Sequence, residues 1–127
     1  MSTQQLASVL LVEDDPHTCN IFKMVMDYHE LNLTIANNAE SAFEYLQKHS
    51  PDVIVLDIFL PGTDGYQIFN RIRQQSLAPN AAIIATTAYY TEETQNDVMA
   101  RGFQGYLPKP LDSASLVASL ENAIQNK

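Results

Sequence analysis

The chain has 127 residues, 46% of them apolar and 17% charged, and its 15 acids against 7 bases give a net charge of −8. That length makes one domain able to bury a core without disulfides or structural metals, and the composition excludes a disordered chain. A lone cysteine, Cys19, excludes a disulfide framework and a cysteine zinc site; the Lys and Arg residues are scattered, which argues against a nucleic-acid face; and no run reaches the ~20 apolar residues of a membrane span.

Met1 to Ala7 has no basic region and no long apolar segment, so no signal peptide is expected and the cytoplasm is the expected compartment. Val9-Leu10-Leu11-Val12 is the first apolar run. Asp15-Pro16 then reads as an N-cap followed by proline at the first helical position. The helix it opens carries Cys19, Phe22 and Met26 on one stripe, with Ile21 and Val25 beside it, and Met24 is expected to pack as well. Leu33 to Ala36 is a weaker second run, and Asn38 caps a helix with Ala42, Phe43 and Leu46 that stops before Pro51. Val53-Ile54-Val55-Leu56 is the clearest strand, followed by a helix from about Gly65 to Ser76. Ala82 to Thr86 follows, then a fourth helix capped by Thr91 and ended by Gly102. Its only apolar residues are Val98, Met99 and Ala100, so packing holds it lightly. Gly105-Tyr106-Leu107 is the last strand, and Asp112 is expected to cap a fifth helix with Leu116, Leu120, Ala123 and Ile124 on one face. Continuous apolar runs separated by helices imply parallel strands buried on both sides, joined by right-handed crossovers. The predicted elements form one domain spanning 1–127, with a core of about 8–124 and no output domain.

In an open parallel sheet all strands end on one edge, and ligands bind there. Glu13, Asp14 and Asp15 follow the first strand, Asp57 ends the third, Thr87 and Ala88 follow the fourth, and Lys109-Pro110 follows the fifth. Two like charges ~4 Å apart repel by about 4 kcal/mol at an effective dielectric of 20, so converging carboxylates call for a cation. Hard oxygen donors suit Mg²⁺. Lys109 and Thr87 can then stabilise a phosphoryl group while Asp57, alone at its strand end, attacks it.

The segments Val12-Glu13-Asp14-Asp15-Pro16, Pro51 through Gly65 around Asp57, Thr87-Ala88, and Gly105-Tyr106-Leu107-Pro108-Lys109-Pro110 together resemble the receiver domain of two-component response regulators. The resemblance covers about Ser8 to Ile124. It implies a doubly wound α/β fold of the flavodoxin-like type, with five parallel strands in the order 2-1-3-4-5 and five helices. It implies Asp57 as phosphoacceptor, Asp14 and Asp57 as direct Mg²⁺ ligands with the Phe59 carbonyl, and Glu13 holding a metal-bound water. Lys109 would pair with Asp57 or the phosphoryl group, the Lys109-Pro110 bond would be cis, and Thr87 and Tyr106 would form the switch pair. The implied partners are a histidine kinase or histidine phosphotransfer protein, docking near the first helix with Thr18 and Ile21 facing outward. A downstream protein would be met through the fourth helix, fifth strand and fifth helix. Nucleic acid and membrane are not expected partners, and the chemistry would be limited to the domain's own phosphorylation and dephosphorylation.

Other readings have identifiable requirements. A haloacid dehalogenase-type phosphatase also uses an aspartate nucleophile, but it needs an acid two residues on, where Phe59 stands. A flavodoxin-like cofactor binder needs a phosphate loop where Glu13-Asp14-Asp15 would repel phosphate. A receiver acting as an unphosphorylated scaffold would not need the full set of site residues. Phe59 and Tyr89, each two residues beyond a site residue, are expected to exclude water and slow hydrolysis of the phospho-form.

Overall fold

The computed structural model describes residues 6–60, 62–88 and 91–126. In chain order the elements are β1 (Ser8–Val12), α1 (Pro16–Tyr28), β2 (Asn32–Ala36), α2 (Ala39–Leu46), β3 (Val53–Asp57), β4 (Phe59–Leu60), β5 (Thr63–Asp64), α3 (Gly65–Gln74), β6 (Ala82–Thr87), α4 (Glu92–Ala100), β7 (Gly105–Pro108) and α5 (Leu116–Gln125). Five parallel strands form one sheet in the order β2-β1-β3-β6-β7, the order the resemblance implies once the small β4-β5 hairpin is counted. That antiparallel hairpin has two residues in each strand, too short to show a period in sequence.

Alternation along the strands divides the core between the two faces of the sheet. Leu10, Val12, Ile54, Leu56, Ile83 and Ala85 face α2, α3 and α4, where Phe43, Ile68, Phe69, Ile72 and Val98 meet them. Val9, Leu11, Val53, Val55, Ala82 and Ile84 face α1 and α5, where Phe22, Met26, Leu116 and Leu120 meet them. Each of these larger side chains, the alanines apart, contributes about 1.5–3 kcal/mol on burial, and helices on both faces explain why the strand sequences are continuously apolar.

The caps are formed by side chains at the helix entries. Asp15 accepts from the N–H groups of His17 and Thr18, Asn38 from Ser41 N at 2.8 Å, and Thr91 from Thr94 N at 3.0 Å. Asp112 does not cap α5. It accepts from Ala114 N at 3.0 Å and Ser115 Oγ at 3.1 Å, closing a turn, and the helix starts only at Leu116. Two expectations on α1 are also corrected. Met24 is 61% exposed, because it lies about 200° round the helix from Phe22 and Met26. Thr18 is buried, its hydroxyl donating to Asp15 at 2.7 Å, whereas Ile21 is half-buried.

Candidate functional site

Register brings the acids together. Val12 pairs with Leu56 across β1 and β3, so the next residues, Glu13 and Asp57, leave the sheet side by side. The neighbouring pairing of β6 with β7 runs on beyond the strand: Lys109 N donates to Thr87 O at 2.9 Å, which delivers Lys109 to the same rim. The Lys109–Pro110 peptide bond is cis, as the resemblance implies.

One ligand oxygen each from Glu13, Asp14 and Asp57 can be chosen so that all lie within 4.8 Å of one another. Lys109 Nζ stands 2.7 Å from Glu13 Oε1 and 3.3 Å from Asp57 Oδ2. The contact with Glu13 is an ion pair in distance, without the alignment of a hydrogen bond. Asp57 Oδ1 accepts from Phe59 N at 2.9 Å, so its two oxygens face different donors. Glu13 Oε2 accepts from Asp14 N at 3.1 Å and Asp15 N at 3.2 Å. Glu13 and Asp57 are buried, while Asp14 is exposed.

Three carboxylates against one ammonium leave the rim acidic, and the charge balance is visible in the titrating groups. Burial pushes the Glu13 carboxyl up to about 7, with the facing Asp57 adding to the rise and Lys109 and the Asp15 N–H opposing it. Burial alone would pull Lys109 down, but Glu13 and Asp57 together hold it above its ordinary value. The donor set, all hard oxygen with excess negative charge, fits a Mg²⁺ ion. Cys19 sits behind the rim as a buried free thiol, and burial pushes it above its usual range.

Thr87 is fully buried at the end of β6. Tyr106 pairs with Ala85 in the sheet and its ring packs against the α2–α3–α4 side of the core. Alternation puts Thr87 on that same side, diagonal to Tyr106. Phe59 is 55% exposed, and Tyr89 lies outside the described residues.

Three positions escaped the sequence reading. Gly65 opens α3 against the end of β3: a Cβ there would lie 2.5 Å from Ile58 Cα and 2.6 Å from Asp57 O. The Asp-Gly pair signals a turn but not that approach. Asn37, at the end of β2, donates its Nδ2 to Glu13 O at 2.9 Å. Thr86 donates its hydroxyl to Leu107 O at 2.6 Å, tying β6 to β7 beside the site.

Comparison with known proteins agrees with this geometry. The family model described as the response regulator receiver domain matches residues 9–121. An uncharacterized 14.6 kDa protein of Leptolyngbya boryana is 32% identical over 117 residues, 92% of this chain and 89% of that protein. The transcriptional regulatory protein TrcR of Mycobacterium tuberculosis is 32% identical over 118 residues, 92% of this chain but 45% of TrcR, so the chain spans less than half of that relative. A putative response regulator from Chloroflexus aurantiacus superposes with a TM-score of 0.85 at 27% identity, over 95% of this chain and 99% of its own.

Proposed function

The chain belongs to the response regulator receiver family, and from that premise we propose that it works as a phosphorylation switch. Asp57 takes a phosphoryl group from a histidine kinase or a histidine phosphotransfer protein, and a downstream protein reads the change through the α4–β7–α5 face. The reading rests on Asp57: its two oxygens meet Lys109 Nζ and Phe59 N–H, and Glu13 and Asp14 stand close enough to share a cation with it.

One Asp57 oxygen attacks the phosphorus of a phosphoimidazole. The O–P bond forms as the P–N bond breaks, and the electron pair leaves on the imidazole, which takes a proton from water. Lys109 meets the negative charge of the phosphoryl oxygens, and the Thr87 hydroxyl supplies a further donor. Mg²⁺, when held by Asp14, Asp57 and the Phe59 carbonyl with Glu13 at one remove, supplies charge neutralisation to those oxygens. Drawing Thr87 toward the phosphoryl group opens space for Tyr106, and this motion is passed to α4. For the donor, α1 offers Met24 and Tyr28, 61% and 81% exposed and four residues apart on one face.

Incubation with Mg²⁺ and acetyl phosphate should add one phosphoryl group to the intact mass of the wild type and none to Asp57→Asn. A wild type that takes up nothing would overturn the proposal. Mg²⁺ should also raise the wild-type melting temperature by mass action, and raise that of Asp57→Asn less. Phe59 stands beside the acceptor, so Phe59→Asn should shorten the lifetime of the phospho-form; an unchanged decay rate would remove the water-excluding role.

A further inference from the structure

The Glu13–Asp14 peptide is gripped at both ends. Its N–H, on Asp14, donates to Glu13 Oε2 at 3.1 Å, and its carbonyl oxygen, on Glu13, accepts from Asn37 Nδ2 at 2.9 Å and, more weakly, from the Cys19 thiol at 3.8 Å. The peptide before it is fixed as well, since Glu13 N donates to Ala36 O at 3.0 Å. A carbonyl oxygen only accepts, so the amide of Asn37 must turn its NH₂ toward it. No donor holds the Asp14 carboxylate among the described residues, and Asp14 is exposed. The peptide plane behind it therefore sets where that side chain starts, and so which positions its carboxylate can reach. Glu13, by contrast, has one oxygen on two N–H groups and the other beside Lys109.

We propose that Asn37 is a positioning residue: from the β2–α2 connection its amide clamps the Glu13–Asp14 peptide and so aims Asp14 toward Asp57. The proposal rests on the reading of this rim as a Mg²⁺ site. Groups that orient metal ligands from behind commonly change metal affinity 10–100-fold when removed. Asn37 touches neither Asp14's carboxylate nor Asp57, so its effect must pass through the backbone.

The test is calorimetric titration of Mg²⁺ into wild type, Asn37→Ala and Asn37→Gln, with the metal-free melting temperature of each. Asn37→Ala should weaken Mg²⁺ binding by about 10-fold or more while its metal-free melting temperature stays near the wild type. Asn37→Gln keeps an NH₂ donor and should recover most of the affinity. Equal affinity in wild type and Asn37→Ala would overturn the proposal, and so would a loss of metal-free stability with unchanged affinity, which describes a merely structural tether. A wild type that binds no Mg²⁺ would bring down the reading of the rim together with the clamp. Should Asn37→Ala fail to fold, Asn37→Ser, whose hydroxyl is too short to reach, reads the same titration.

Discussion

Helices α3 and α4 lie against the same face of the sheet, yet they are held in opposite ways. Helix α3 buries Ile68, Phe69 and Ile72, and its first residue, Gly65, nests against the backbone of Asp57 and Ile58. Helix α4 buries Val98 alone, near its C-terminal end. Its further anchorage lies at that same end: Arg101 stacks 3.9 Å over the Tyr66 ring, and Phe103 stacks on Phe69 at 4.0 Å between centroids. Its first turns, from Glu92 to Gln95, contribute nothing to the core. The segment next to Asp57 is thus braced, and the segment proposed to carry the signal outward is pinned to the core at its C-terminal end alone.

The largest effect should come from the braced side. Ile72 is fully buried, and Ile72→Ala should cost about 2–5 kcal/mol, lowering the melting of the whole molecule and exposing α3 and α4 amides alike. Loss of protection confined to α3 would show that it is not part of the global core. Gly65→Ala comes next, and there two effects oppose each other. Alanine favours a helix interior over glycine by about 1 kcal/mol, but its Cβ would collide with backbone that cannot rotate away. Collision should win, with a net loss of about 1–3 kcal/mol and slower uptake of phosphate from acetyl phosphate as Asp57 is displaced. A stabilised Gly65→Ala would mean that the helix start is not tightly nested. Val98→Ala removes two carbons, about 1.5 kcal/mol at ~0.8 each, and the resulting hydrogen exchange should be confined to α4.

The same contrast separates what was legible in sequence from what was not. Strands buried on both faces announce themselves as apolar runs, and Asp15, Asn38 and Thr91 act as the caps their positions suggest. The weak hold on α4 was legible too, because so few of its residues are apolar. The site acids and Lys109 were legible because each ends or follows a strand, and parallel topology gathers strand ends at one rim. Asp112 misled because an aspartate that closes a turn and one that caps a helix carry the same local signal; only the placing of Leu116 decides between them. Met24 was misjudged by composition alone, although helical spacing already set it opposite the buried stripe. The roles of Asn37 and Gly65 could not be read. One acts on Glu13, 24 residues away in sequence, and the other matters because the backbone of Asp57 and Ile58 leaves no room for a Cβ.

The smallest effect probes the link between the two helices. Burial pushes the Tyr66 phenol up to about 12, and the facing Asp97 adds to the rise while Arg101 opposes it. A tyrosine whose folded pKa is raised contributes no pH dependence while the phenol is neutral in both states. Once the pH passes the ordinary value of 10, the unfolded chain ionises first and stability falls until the folded phenol ionises too. Tyr66→Phe keeps a ring under Arg101 and removes the ionisable group. It should therefore flatten that part of the stability curve between about pH 10 and 12, and remove one late step from the tyrosinate absorbance titration. The loosening at high pH should start at the C-terminal end of α4, where Asp97 and Arg101 face Tyr66, and leave Ile68 and Ile72 protected. If the wild type and Tyr66→Phe lose α4 protection over the same alkaline range, the phenol is not part of what pins that helix, and Val98, the ring under Arg101 and the stack of Phe69 with Phe103 hold it.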